Sequence, residues 1–517
     1  MVPENAAESV PERDMSAELQ HSYDTFPYQS FPYPQSHPDR LATIGALFGM
    51  TPVPVARSRV LEIGCASGGN LIPIAASLPE AEFVGIDLSP VQIRQGVADI
   101  DALGLSNIRM LATDIMDFGE SFGHFDYIIA HGVYSWIPND AQEQMLAICA
   151  RQLSPSGIAY ISYNTLPGWR MRAVVRDAMT FHTRRIADPA QRVAQSRAML
   201  EFLAESLADD ASAYGTMLKQ EAGYLRTKDD YYILHDHLEA ENEPLYFHQF
   251  MERATRHGLN YLGEADFATM LGSEFGPQVK QTLAQVAPDV LNREQYMDFL
   301  RARTFRQTLL VRDDVALTRK LSPLRLMTLR VASRAQRERT DAGPLADAPE
   351  NFRTPDNREI RVAAGVTKAA LLALAEAWPL AIAFDEIHSS ARARLAAPAA
   401  EPEVERRQLA SDLLQCFAQG VVELHHAPSP FVLDPGERPE ASAVARLHAA
   451  RGTRATSLRH EPGSIDDDTR QLLMLLDGSR TRSEIAQRRW PGLDAAESAR
   501  ALESALAQLG RLAMLVR

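Results

Sequence analysis

Residues 59–70, Arg-Val-Leu-Glu-Ile-Gly-Cys-Ala-Ser-Gly-Gly-Asn, constrain this chain more than any other stretch. Val60, Leu61 and Ile63 form a short apolar run that stops at Gly64. Gly68 and Gly69 lie just beyond, followed by Leu71-Ile72-Pro73-Ile74-Ala75. The pattern reads as a buried strand, a tight glycine turn and a helix start, the opening of a doubly wound α/β unit. Glycine has no Cβ, so such a turn lets a ligand lie against the backbone.

The residues around the turn discriminate between ligands. A dinucleotide would lay its pyrophosphate on the turn and on the helix N-terminus. Here Glu62 stands two residues before the first glycine and Ala66 replaces the second motif glycine. A carboxylate beside the turn repels a diphosphate and suits a cation. S-adenosylmethionine carries a sulfonium and an α-ammonium and no phosphate. The pattern Glu62-x-Gly64-x-Ala66-x-Gly68 resembles motif I of class I methyltransferases, with Ala66 as a small departure.

At 517 residues the chain has room for roughly two to four domains. A net charge of −14 argues against general nucleic-acid binding, which needs a basic face. The three cysteines, Cys65, Cys149 and Cys416, lack metal-ligand spacing and suit a reduced, cytoplasmic compartment. The polar, acidic N-terminus does not read as a signal peptide. No apolar run approaches the ~20 residues of a membrane span, so no membrane partner is expected.

Along the chain, residues 1–20 lack periodicity and read as disordered or as a helix formed on docking. Residues 23–41 form an arm in which four prolines hold the backbone extended and five aromatics, Tyr23, Phe26, Tyr28, Phe31 and Tyr33, cluster. Two compatible readings stand. The arm packs over the core, or it is a lid with Tyr28, Tyr33 and His37 nearest the cofactor. Residues 41–49 read as a helix closed by Gly49. Strands are expected at 59–64, 82–87, 107–112, 125–130 and 158–162, with helices between them. Ser89-Pro90 opens one of those helices, and Asn139 is expected to cap another, running to Leu153.

Alternating strands and helices imply a parallel sheet whose ligand lies at the strand carboxyl ends. Asp87, followed by Leu88, is placed there for ribose hydroxyls, and Asp114, followed by Ile115, for an adenine amino group. The expected cofactor contacts are Glu62, Gly64, Ala66, Gly68, Asn70, Asp87, Leu88, Asp114, Ile115 and His131, with Tyr28, Tyr33 and His37 from the arm.

Longer motifs then name a family. The arm 31–41 and Glu-Ile-Gly-Cys-Ala-Ser-Gly-Gly-Asn-Leu (62–71) are two of them. Gly-Ile-Asp-Leu-Ser (85–89), His-Gly-Val-Tyr-Ser-Trp-Ile-Pro (131–138) and Ser-Tyr-Asn-Thr-Leu-Pro-Gly-Trp (162–169) are the others. Together they resemble bacterial methyltransferases that carry a methyltransferase regulatory domain, similar to rickettsial protein-lysine methyltransferases. The resemblance covers residues 23–312. It implies an α/β fold with a Rossmann-like, seven-stranded class I methyltransferase sheet and helical insertions. S-adenosyl-L-methionine is the implied cofactor.

Residues 170–235 read as helical. A sixth strand is expected at 259–262 and a last, antiparallel one at 304–311, with helical regulatory insertions threaded between. His235, His237 and His248 invite a metal reading, but their spacing fits no standard zinc site and methyl transfer to nitrogen needs no metal. A substrate-facing polar cluster and ordinary packing remain as alternatives.

Residues 335–350 are polar and read as a linker, within a wider connecting stretch at 313–350. Beyond it, 351–517 has the texture of a winged-helix-like α+β domain. It includes a mobile Ala/Pro-rich segment at 392–405 and a capping box at Thr481–Glu484. Helix–turn–strand patterns at 409–424 and 502–516 suggest two related halves. The candidate recognition helix 497–508 is neutral to acidic apart from Arg500, which favours protein recognition or a homodimer over nucleic acid. The expected organisation is thus an arm (1–40), a cofactor-binding core (41–180) and a helical regulatory region with the last strands (181–312). The connecting stretch and the C-terminal domain follow.

Methyl transfer is an in-line displacement, in which the protein aligns the nucleophile and excludes water. A lysine acceptor must lose its proton from a reference pKa of ~10.4, helped by burial or by a neighbouring base. His131, Tyr134, Trp136, Tyr163 and Asn164 stand on the two loops expected to flank the methyl group, and Tyr134 with Trp136 suit a cage wall for an amine. No single base stands out. A protein side chain, a small-molecule acceptor, and a catalytically weak SAM-binding scaffold are the functions left open.

Overall fold

The computed structural model describes residues 24, 26–239, 241–338, 345, 348–395 and 401–516. Tyr23 and the segment 1–20 lie outside these residues. The opening helix, α1 (Pro38–Leu47), starts three residues before the expected 41 because His37 caps it and Pro38 takes its first position.

A seven-stranded sheet follows. β1 (Arg59–Ile63) leads through the glycine turn into α2 (Leu71–Ser77). Then come β2 (Glu82–Asp87), α3 (Pro90–Leu103), β3 (Ile108–Ala112), β4 (Phe125–Ala130), α4 (Asn139–Gln152) and β5 (Leu153–Asn164). Ser89 caps α3 through its hydroxyl, and Gly104 ends it in the left-handed region. Asn139 is the first residue of α4 and not its cap: Pro138 holds that position, and the Asn139 amide oxygen accepts from Arg253. β5 begins at Leu153, five residues before expectation, because Leu153 pairs with Phe125 across an irregular register that Gly157 does not interrupt.

The chain then leaves the sheet through α5 (Trp169–Thr183), α6 (Pro189–Ser206), α7 (Ala213–Arg226) and the short α8 (Asp230–Ile233), which runs into a π-turn at Leu234–Leu238. It returns through α9 (Phe247–Arg256), β6 (Leu259–Glu264), α10 (Pro277–Val286), α11 (Val290–Arg301) and β7 (Phe305–Arg312). The strand order is β3-β2-β1-β4-β5-β7-β6, with β7 inserted antiparallel between β5 and β6. β1 to β5 are parallel, so their carboxyl ends share one edge.

Beyond β7 the expected division needs correction. The stretch 313–350 carries α12 (Pro323–Leu326), β8 (Arg330–Ala332), β9 (Gln336–Arg337) and the start of β10 (Glu350–Arg353). β10 pairs with β9 and with β11 (Glu359–Val362), and is followed by α13 (Gly365–Ala377). β8 is the middle strand of a three-stranded sheet, between β12 (Ile382–Ala383) and β13 (Glu423–His425). Its partners lie tens of residues downstream, and a three-residue strand carries no legible periodicity. Val331, Phe352, Leu371, Leu413 and Leu424 join Leu41, Val60, Tyr160 and Leu309 in one hydrophobic core, so no separate unit begins at 351. α14 (Phe384–Ala393) and α15 (Pro402–Ala418) occupy much of the Ala/Pro-rich segment, of which 396–400 lie outside the described residues.

Among the described residues beyond β7, a separate core lies between Ala441 and Leu515. It joins α16 (Ala443–Arg451), a hairpin of β14 (Arg454–Thr456) and β15 (Pro462–Ser464), α17 (Asp467–Leu473), α18 (Arg482–Arg489) and α19 (Ala495–Arg511). Thr481 and Glu484 form the expected capping box of α18. The segment 512–516 is not a full strand; Leu515 makes a single bridge to Ala441. Among the described residues, no helix is long and apolar enough to cross a membrane.

Candidate active site

The carboxyl ends of β1 to β5 open into one cavity of about 500 Å³. Glu62 on β1 is 3 % exposed. Its Oε1 accepts from Asn70 Nδ2 at 2.8 Å, while Oε2 is buried with no hydrogen-bond partner among the described residues. Burial pushes this carboxyl up to about 8, and the Asn70 bond offsets only part of that rise. An interior carboxylate oxygen without a donor is costly unless something completes it.

Asp87, at the end of β2, holds the turn. Its Oδ2 accepts from Ala66 N at 2.8 Å and its Oδ1 from Ser89 N at 2.9 Å. Burial still raises its carboxyl against both bonds. Ala66 adopts φ 49°, the left-handed conformation that the turn demands and that a motif glycine would adopt freely. Gly64, at φ 72°, cannot be replaced: a Cβ there would lie 2.4 Å from the Val133 side chain. Leu88, Asp114 and Ile115 line the same end of the cavity.

The arm crosses this edge and is bolted to the turn. Gly69 N donates to Ser30 Oγ at 2.8 Å, and Tyr33 N donates to Asn70 Oδ1 at 2.9 Å. A Cβ on Gly69 would meet the Ser30 carbonyl oxygen at 2.5 Å, which is why glycine stands there. The Tyr33 ring stacks on His131 at 3.7 Å, and Tyr28 stands edge-on to Tyr231 at 5.3 Å. His131 Nδ1 lies 2.7 Å from the Tyr160 hydroxyl, and burial pushes the imidazole down to about 3, so it stays neutral.

On the far side the walls are aromatic. Trp136 meets Trp169 edge-on at 6.3 Å, and Tyr224 meets Tyr232 at 6.2 Å with their hydroxyls 3.3 Å apart. Arg172 lies over both the Trp169 and Tyr224 rings. Asn164, His235 and Asp236 complete the lining. Burial pushes the Asp236 carboxyl up to about 7 against nearby His235, Arg172 and Lys228.

Four residues expected here lie elsewhere. His37 is outside the cavity lining; its Nδ1 accepts from Asp39 N at 3.1 Å as the α1 cap, and burial pushes it down to about 4. Tyr163 points to the opposite sheet face from Asn164, as strand alternation requires, stacking on Phe250 at 4.2 Å with its hydroxyl 3.2 Å from Thr308. Tyr134 packs edge-on against the same Phe250 at 5.2 Å. Gly68 (φ 79°) shapes the turn without lining the cavity. The histidines of the second half do not converge. His235 bridges Glu239 and the Phe26 carbonyl, and His248 pairs with Gln295. Among the described residues, no three His, Cys, Asp or Glu side chains group to hold a metal ion.

Sequence reasoning passed over Ser30, Arg172, Tyr224, Tyr232 and Asp236, and also His460, whose Nε2 lies 2.7 Å from Asn70 Oδ1. Trp169 closed a quoted motif and carried a signal. Ser30 lies in the arm, and the others sit in helices or a hairpin turn with no local mark.

A parallel sheet with β7 inserted antiparallel, a glycine turn under a buried carboxylate and acids at successive strand ends define a class I methyltransferase. The chain matches three family descriptions: methyltransferase domain (residues 60–157), predicted methyltransferase regulatory domain (229–312), and PKMT C-terminal winged helix domain (437–490). It is 37% identical over 476 residues to an uncharacterized protein of Rickettsia prowazekii, covering 90% of this chain and 85% of that one. The structure of PKMT2 from Rickettsia typhi matches 95% of this chain and 100% of its own, with 28% identity and a TM-score of 0.85. The same protein solved in complex with AdoHcy matches at 29% identity and a TM-score of 0.84. The chain therefore belongs to the class I SAM-dependent methyltransferases that carry a methyltransferase regulatory domain and a PKMT-type winged helix.

The residues present fit that cofactor. The orphaned Glu62 oxygen suits an α-ammonium, and the backbone of Gly64 and Ala66 is open to the cavity.

Proposed function

We propose that this methyltransferase modifies a lysine-type amine of a protein. In this reading Glu62 receives the α-ammonium of S-adenosylmethionine, Asp87 the ribose hydroxyls, and Asp114 with Ile115 the adenine. S-adenosylmethionine supplies an electrophilic methyl group on its sulfonium. The chain's own residues do the rest. Tyr33 and His131, stacked together, wall the reacting end from water, and a neutral His131 with so low a pKa is a poor base. Trp136, Trp169, Tyr224 and Tyr232 offer ring faces that suit an alkylammonium. Asp236, held near neutrality, is matched to take the proton that an ammonium must shed before it attacks.

The observation that carries this reading is the far wall: aromatic rings beside a half-buried carboxylate, with Arg172 already drawn over two of them. The Rickettsia typhi neighbour's PKMT name and its AdoHcy complex point the same way. Three buried free thiols suit a reduced cytoplasm. The test is transfer of label from methyl-labelled SAM into cell lysate, resolved by size. Label in lysine residues of protein bands supports the reading. Label only in small solutes would move the acceptor to a small molecule, and no label would leave a SAM-binding scaffold.

A further inference from the structure

His460 is remote in sequence from the glycine turn, yet it reaches Asn70, which lines the cavity. It sits in the turn of the β14–β15 hairpin with φ 61°, and its N–H donates to Ser457 O at 2.9 Å. The neighbouring Arg459 pairs with Glu423 at 2.6 Å and lies over the Trp378 ring at 4.4 Å. Glu423 also faces His425, which pairs with Asp39 of α1 at 2.9 Å. The hairpin tip is thus tied into the rest of the protein through Arg459, next to His460.

The hydrogen-bond chemistry at Asn70 has one solution. The Tyr33 backbone N–H, 2.9 Å from one end of the amide, can only donate, so that end is the oxygen. The amide nitrogen therefore faces Glu62 Oε1 at 2.8 Å and Ser36 Oγ at 3.0 Å. His460 Nε2 meets the same amide oxygen and must carry its hydrogen. Burial lowers the pKa of this ring, so it donates as a neutral imidazole. An amide turned by half a revolution would set oxygen against the Glu62 carboxylate and lose both donors.

We propose that His460 is a positioning residue of the cofactor site: it locks the Asn70 amide that orients Glu62, so docking of the winged helix sets the affinity for the amino-acid end of the cofactor. The proposal rests on Glu62 receiving the α-ammonium. By linkage, a bound cofactor tightens the winged helix onto the sheet to the same degree.

Calorimetric titration of the full chain tests it with two probes: S-adenosylhomocysteine, which carries the α-ammonium, and 5′-methylthioadenosine, which lacks the amino-acid end. His460→Ala weakens the first about tenfold and leaves the second within about twofold. His460→Gln, which keeps an N–H donor, recovers most of the loss. If the alanine variant does not fold, His460→Phe fills the ring's space without the donor and is read in the same way. Equal weakening of both probes, no weakening of the first, or no recovery by glutamine overturns the proposal. Glu62→Gln separates the two readings. If it binds S-adenosylhomocysteine like the wild type, the Glu62 assignment fails; if it loses affinity while His460→Ala does not, only the His460 proposal fails.

Discussion

Glu264 and Glu62, buried carboxylates in two regions of this protein, are treated in opposite ways. At the β6–β7 seam, Glu264, Glu294 and Asp298 surround Arg306, and all four are fully buried. Glu264 takes Arg306 and Thr308 on one oxygen, and Arg303 and the Gln307 N–H on the other. Burial alone would push its carboxyl up, yet Arg306 and Arg303 hold it below the usual range. At the end of β1, Glu62 is buried almost as deeply but has one amide donor and no cation among the described residues, and its carboxyl rises to about 8. Where the chain supplies the counter-charge, an interior carboxylate is part of the framework. Where it withholds one, the buried carboxyl is held towards its neutral form and keeps an unpartnered oxygen, the feature on which the proposed cofactor contact rests.

Removing the cation from the first region has the largest expected effect. Arg306→Ala takes the central cation from three buried acids, leaving Arg303 alone to serve Glu264 and Asp298, and costs about 3–5 kcal/mol of stability, read by chemical denaturation. Retained stability would mean that the seam tolerates unpaired charge and the contrast is empty. Removing the charge from the second region moves binding instead. Glu62→Gln keeps a hydrogen-bonding side chain, leaves the fold at least as stable at neutral pH because burial disfavours the ionised Glu62, and weakens cofactor affinity by about 2 kcal/mol in calorimetry. Asp87→Ala weakens it by about 1–3 kcal/mol through lost ribose bonds and a loosened Ala66 turn.

The pH dependence sharpens the contrast. Without cofactor, Glu62 is protonated below about 8; with an ammonium beside it, its pKa falls, so binding releases a proton. Affinity therefore weakens by up to about tenfold per unit as pH drops below that value, and Glu62→Gln flattens the slope. The same raised pKa means that the unliganded fold binds a proton which the unfolded chain lacks. Its stability thus falls as pH rises from the ordinary glutamate range towards 8. The smallest effect belongs to Tyr163→Phe, which loses the Thr308 bond and about 1 kcal/mol of stability while S-adenosylhomocysteine affinity stays unchanged. A weakened affinity would return Tyr163 to the site.

Much of this was legible along the chain. The turn at 59–70, the ends of β2 and β4, the Ser89 cap and the presence of a strand at β7 follow from local rules: apolar runs, glycine breaks, side-chain capping and strand alternation; the antiparallel setting of β7 is an expectation from the resemblance. Those rules depend on neighbours a few residues apart, and that is the range in which a sequence speaks plainly. They also placed Glu62, Asp87 and Asp114 at strand ends, because in a parallel sheet the end of each strand is readable from its own segment.

What local rules could not decide was which face a loop residue would take and which distant segments would meet. Tyr134 and Tyr163 have the chemistry of site residues but face the core, while Trp169, Tyr224 and Asp236 come to the cavity from helices of the second half. β8 is a strand only because β12 and β13 pair with it, and His460 reaches Asn70 only because the winged helix docks there. By itself the sequence determined the sheet, its glycine turn and the acids along its edge. Tertiary structure alone decided which rings meet in the cavity's aromatic wall and that the winged helix reaches Asn70, since both are made of contacts between segments whose local patterns carry no record of one another.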